Sequence, residues 1–76
     1  MLDPTPDWVP RRRQQIGLQI REARRAARLS QATLGERVGR DHKTIHRWES
    51  GATNPTLTDL LLVADALGVP LAELVR

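Results

Sequence analysis

The sequence predicts an all-α fold of five helices, and three observations predict it. No segment alternates apolar and polar residues at period two, apolar residues recur three and four apart in several stretches, and residues 29–51, LSQATLGERVGRDHKTIHRWESG, read as two short helices joined by a glycine turn. The 76 residues leave room for one domain, and a chain of that size buries only about 60% of the surface its unfolded form exposes. With no cysteine, neither a disulfide framework nor a thiolate metal site can add stability, and a reducing cytoplasm is the expected compartment. No apolar run approaches the roughly 20 residues that span a bilayer and no signal-peptide pattern opens the chain, so no membrane partner is expected.

Residues 1–10, MLDPTPDWVP, hold three prolines and two aspartates without periodicity and are expected to form a flexible arm, with Trp8 and Val9 packing back on the body; residues 11–76 form the domain. A first helix is expected from Pro10, where a missing N–H costs nothing, to about Ala27. Ile16, Ile20, Ala23 and Ala27 form its inner stripe, with Arg24 half-buried beside it. Arg11, Arg12, Arg13, Arg21, Arg25 and Arg28 point to solvent or to a ligand.

Ser30 is placed to cap the second helix, Leu34 and Val38 give it an apolar edge, and Gly39 supplies the left-handed residue that ends it. Asp41 then caps a third helix, whose inward side is Ile45, Trp48 and Glu49. Its other side carries His42, Lys43, His46, Arg47 and Ser50, a row of polar and basic donors of the kind a helix needs in a DNA major groove. In the loop ATNPT, Pro55 bars helix continuation, and Thr56 with Asp59 forms a capping box for the fourth helix. Leu57, Leu60, Leu61, Ala64 and Leu67 are its expected inner stripe and Gly68 its end, with Leu62, Val63 and Ala66 left over. A short fifth helix over residues 70–75 docks Leu71 and Leu74.

Net charge is +3, but its distribution is polar. Between Arg11 and Arg47 eleven Lys or Arg face three acids, a local charge of +8, while the rest of the chain sets one arginine against six acids, −5. One basic side suits a polyanion, because phosphate neutralisation supplies most non-specific nucleic-acid affinity. The chain holds no Ser/His/Asp set, phosphate-cradling glycine loop or paired carboxylates, so no enzyme activity and no cofactor are expected. His42 and His46 stand one turn apart but lack a third ligand, and no metal site is expected.

These residues give the chain its likeness to a known family. Leu29, Ser30, Gln31, Leu34, Gly39, Ile45, Trp48, Glu49, Gly51, Pro55, Leu57, Ala64, Leu67, Gly68, Val69 and Leu74 stand in the spacing of the helix-turn-helix family of phage repressors and Cro proteins, the XRE-like family, which the chain resembles from about Ile16 to Val75. The resemblance implies a compact five-helix, lambda-repressor-like DNA-binding domain with residues 42–49 as recognition helix in the major groove. By position, Gln31 matches a glutamine that contacts a backbone phosphate and braces the recognition helix. His42, Lys43 and Arg47 match positions that touch base edges, and Arg47 and Lys43 are types that pair with guanine O6 and N7. Thr44 matches a near-DNA position. His46 lies at the edge of this face and is expected to be solvated, while Ser50 and the backbone of residues 51–54 match a loop pressed against phosphates. Arg24 and Glu49 match a buried ion pair between the first and third helices.

Three residues depart from the family pattern. Gly35 replaces an alanine at some cost in helix propensity, about 1 kcal/mol. Asp41 sets a carboxylate near the phosphates, where it caps well and repels DNA slightly. Pro70 replaces a hydroxyl cap, which implies a short last helix. The resemblance thus implies a sequence-specific, repressor-like transcription regulator on double-stranded DNA. A single domain reads few base pairs, so a homodimer on a pseudo-palindromic site is expected, with Leu62, Val63, Leu74 and Val75 as the dimer surface. An alternative keeps the fold but makes another protein the main partner, as for an antitoxin or an adaptor, with the arm and the acidic C-terminal half as working surfaces.

Overall fold

A computed structural model describes residues 5–76 and contains α1 (Trp8–Ala26), α2 (Gln31–Val38), α3 (His42–Ser50), α4 (Leu57–Leu67) and α5 (Leu71–Val75). α3 packs on both α1 and α2, α4 on α2 and α5, and α5 closes back on α1. Ile20, Leu34, Ile45, Val63 and Leu74, one residue from each helix, are fully buried and form the centre of the core with Trp48.

The punctuation read from the sequence operates in the structure. Ser30 Oγ accepts the Thr33 N–H at 3.0 Å and Asp41 Oδ1 accepts the Thr44 N–H at 2.8 Å. The Thr56–Asp59 box is closed in both directions, and Gly39 and Gly68 end α2 and α4 at φ 74° and 68°. α5 has five residues and no side-chain cap at Pro70.

The expected start of α1 is corrected: it begins at Trp8, and Pro10 sits in its third position. The first-turn N–H groups have no intrahelical partner in any helix, so proline is tolerated there. Three residues of the expected arm are therefore helical, and residues 1–4 of it lie outside the described residues. Trp8 is 60% exposed and does not pack back, whereas Val9 lines an apolar groove with Ile16, Trp48 and Leu60. Arg12, expected in solvent, is half-buried and donates from Nη2 to the Val75 carbonyl at 2.7 Å, tying α5 to α1.

Gly17 was not on the expected stripe, yet it is buried where α1 crosses α3. A Cβ there would lie 2.5 Å from the carbonyl oxygens of Trp48 and Glu49, so the absent side chain sets the distance between the helices. The same reasoning revises Gly35: a Cβ would meet the Arg40 carbonyl at 2.4 Å, so alanine does not fit without a backbone shift and the lost helix propensity is offset by close packing.

The inner face of α4 is also corrected. Val63, Ala64 and Leu67 are buried with Leu60 beside them, while Leu57 and Leu61 are 64% and 50% exposed. An almost continuously apolar helix has no unique stripe, and here the face is chosen by contact with α2 on one side and α5 on the other. The expected dimer surface changes with it. Val63 and Leu74 are core residues, and the apolar side left in solvent is Leu57, Leu61 and Leu62.

Candidate nucleic-acid interface

α3 is seated by its inward side. Ile45, Trp48 and Glu49 are buried, Thr44 is half-buried, and His42, Lys43, His46, Arg47 and Ser50 are all exposed. With 3.6 residues per turn, His42, His46 and Ser50 make one line along the helix and Lys43 and Arg47 a second line beside it. At its C-terminus Gly51 takes φ 79°, and the Ala52 N–H closes on the Arg47 carbonyl at 2.9 Å. That turn starts the loop towards Pro55 with its backbone next to the exposed face.

One carboxylate locks α3 to the two helices before it. Arg24 donates from Nε to Glu49 Oε2 at 2.6 Å and from Nη2 to Oε1 at 2.9 Å, and from Nη1 to the Leu29 carbonyl at 2.8 Å. Gln31 Nε2 donates to the same Glu49 Oε1 at 3.1 Å. The hydrogen bond to Glu49 outweighs burial and holds the Arg24 guanidinium above its ordinary pKa. Arg24 is buried beneath the exposed surface with three of its donors engaged, so the structure places it as a brace and not as a free ligand. Gln31 is half-buried and keeps a second amide N–H for another acceptor.

Asp41 stands at the exposed start of α3. Its carboxyl lies below the usual carboxylate range, chiefly because the Thr44 N–H binds it and also through the nearby His42 and Arg47. The charge complements the helix dipole. Ser50 Oγ donates to the Arg47 carbonyl at 3.2 Å and remains exposed.

Two arrangements were not legible beforehand. Arg40, in the turn between α2 and α3, donates from Nη2 and Nε to Asp59 Oδ1 at 2.9 and 3.2 Å. Burial pushes the Asp59 carboxyl up, but the Thr56 N–H and the Arg40 guanidinium outweigh it and hold the group below its ordinary value. The turn is thereby tied to the start of α4. The second arrangement is a groove between α1 and α3, walled by Arg21 and Arg25 on one side and His42 and His46 on the other, with Gln31 and the Arg24–Glu49 pair at its base. His46, placed at the edge of the face by the sequence, belongs to this groove. Among the described residues no group of three His, Cys, Asp or Glu side chains could hold a metal ion.

Comparison with known proteins points the same way. A family model described as a helix-turn-helix domain matches residues 15–76. Among solved structures, the restriction-modification controller protein C.AhdI from Aeromonas hydrophila is similar with a TM-score of 0.76 and 37% identity over 79% of this chain and 91% of that one. The P22 c2 repressor, solved in complex with synthetic operator 9T, is similar with a TM-score of 0.74 and 33% identity over 80% and 92%. No curated protein matches the chain.

Proposed function

The chain belongs to the helix-turn-helix domain family, and from that premise we propose that it is a sequence-specific DNA-binding regulator of transcription, a binding protein and not an enzyme, which reads the major groove with α3. The observation that carries this reading is the division of α3: its apolar side is wholly buried, and its basic, donor-rich side is wholly exposed. The likeness to a repressor solved on operator DNA supports it.

In this reading Arg47 and Lys43 donate to guanine O6 and N7, and His42 reaches an adjacent base edge. Thr44 offers its hydroxyl to a phosphate. Gln31 gives its second amide N–H to the backbone, and Ser50 with the loop of residues 51–54 presses on phosphates further along. Arg24 and Asp41 act indirectly, the first by fixing α3 through Glu49 and the second by capping it. Two copies bind a pseudo-palindromic site with half-sites about one helical turn apart, held together by the exposed Leu57, Leu61 and Leu62 of α4. No helix of the described residues is long and apolar enough to cross a membrane.

Selection of bound fragments from random duplex DNA at two salt concentrations tests the proposal. A single motif with two related halves is expected at both, because base contacts set the preference while salt changes only the backbone term. Recovery of fragments without a common motif contradicts it.

A further inference from the structure

We infer that the apolar groove beside the start of α1 is a docking site for an acidic segment of a partner protein, anchored by one large apolar side chain, and that its occupation antagonises operator binding. The antagonism rests on the DNA-binding reading; the docking site does not.

The groove is the half-covered end of the stripe on which α1 packs. Val9, Arg13, Ile16 and Ile20 recur along one side of that helix, and opposite them stand Trp48 of α3, Pro55 of the following loop and Leu60 of α4. Ile20 and Trp48 are buried and make the floor, whereas Val9, Ile16, Pro55 and Leu60 are only half-buried. Val9 and Arg13 precede residues 15–76, the stretch that the family model matches, so part of one wall lies ahead of the family domain. The enclosed space is about 280 Å³, just below the roughly 300–1,000 Å³ of sites that enclose a whole small molecule. It suits a single anchoring side chain.

Charge identifies what accompanies the anchor. Among the described residues Arg13 is the only charged one in the lining. Its Nε is shut off from water without an acceptor, and no described carboxylate lies within ion-pairing distance of the guanidinium. Native proteins rarely leave such a donor unmatched. Asp59, next to Leu60 in the chain, is already taken by Arg40 and the Thr56 N–H. A carboxylate arriving beside an apolar anchor completes both halves of the site, the anchor filling the space and the acid binding the guanidinium. This chain's own exposed apolar residues do not provide that pairing: Trp8 leads into Arg11, Arg12 and Arg13, and Leu57, Leu61 and Leu62 form the proposed dimer surface. An amphipathic helix with apolar and acidic residues one turn apart does.

The link to DNA lies in the loop. Thr53 and Asn54 line the groove and belong to residues 51–54, which the DNA-binding reading sets against phosphates. Carboxylates beside that loop repel the phosphates, so acidic segment and duplex compete for it. By reciprocity the partner weakens operator binding by the same factor as the operator weakens partner binding.

Short random peptides displayed on phage are selected on the full chain, with the Val9→Glu protein, checked for its fold by circular dichroism, as counter-selection. The enriched peptides should share one large apolar residue with Asp or Glu three or four positions away. A synthetic peptide of the enriched sequence should shift the resonances of Val9, Ile16, Trp48 and Leu60, and Arg13→Gln should weaken its binding about tenfold. Saturating peptide should weaken operator binding about fivefold or more. No enrichment over the counter-selection, a basic or uncharged consensus, shifts elsewhere on the molecule, or an affinity unmoved by Arg13→Gln overturns the docking site. Self-association that Val9→Glu abolishes gives the groove to a second copy, and groove resonances that deletion of residues 1–4 moves as the peptide does give it to the chain's own start; either result overturns the proposal. Peptide and operator that bind independently overturn the antagonism alone. If no operator is recovered the DNA reading fails, and the peptide arm still decides the groove.

Discussion

α3 and α4 are neighbouring short helices, each seated on two other helices, yet they leave opposite chemistries in solvent. α3 exposes two histidines, a lysine, an arginine and a serine, whereas α4 exposes Leu57, Leu61 and Leu62. Both seats include an arginine–carboxylate pair, but the pairs differ as well. Arg24–Glu49 is buried on both sides, with side chains 9% and 3% exposed, while Arg40–Asp59 has a half-exposed arginine and a buried aspartate. The difference teaches how a domain this small divides its work: a rigidly anchored helix presents donors that need accurate placement, and a more loosely tied one presents apolar surface that needs only to be covered.

The comparison breaks first at Glu49. Glu49→Ala strands the Arg24 charge under α3 and releases Gln31, so a loss of about 3–5 kcal/mol in urea unfolding is expected. A loss below about 1 kcal/mol would mean that α3 is held by its apolar side alone.

Changing what α3 presents should leave its seat untouched. Arg47→Ala is expected to weaken binding by about 1–3 kcal/mol and to relax preference at one base step, with the unfolding midpoint unmoved. Gln31→Ala should instead weaken all sequences alike. Sequence preference that survives Arg47→Ala contradicts the readout assignment.

The seat of α4 is weaker and titrates. Because Asp59 lies below its ordinary pKa in the fold, its contribution is complete above the unfolded value of about 3.9 and is lost as pH falls through the folded value. Asp59→Asn should cost about 1 kcal/mol at neutral pH through the capping box and the Arg40 pair. The gap between the two proteins in urea unfolding should close on acidification below that range. A gap that persists unchanged in acid would show that the carboxylate charge is not what holds the pair.

The smallest effect on stability belongs to the solvent side of α4. Leu61→Ser should change monomer stability by no more than about 0.5 kcal/mol, since the residue is half-exposed and outside the core, yet it should shift sedimentation on operator DNA from two copies per site towards one. An unaltered dimer places the interface elsewhere.

The contrast between the two helices also marks what was legible in the sequence. In α3 apolar and polar residues separate into one phase, and Asp41 and Gly51 mark its ends, so the inward trio of Ile45, Trp48 and Glu49 could be read directly. In α4 eight of eleven residues are apolar, and spacing alone supports several stripes; packing against α2 and α5 selected one that the sequence did not distinguish. Buried charge was legible only where the family spacing carried it, as for Arg24 and Glu49. Arg40 and Asp59 lie 19 residues apart without a local signal, and Arg12 in an arginine run gave no sign that it would cap the end of α5. Gly17 was missed because its role is an absence, visible only once α1 and α3 are crossed. The groove between them escaped notice for the same reason, since its two walls are far apart in the chain.

Chemical-shift mapping of the full chain with the selected duplex tests the central claim most directly. The amides and side chains of His42, Lys43, His46, Arg47 and Ser50 should move on titration, while the buried core residues Val63 and Leu67 stay still. An α3 face left undisturbed by DNA at low salt would contradict the account.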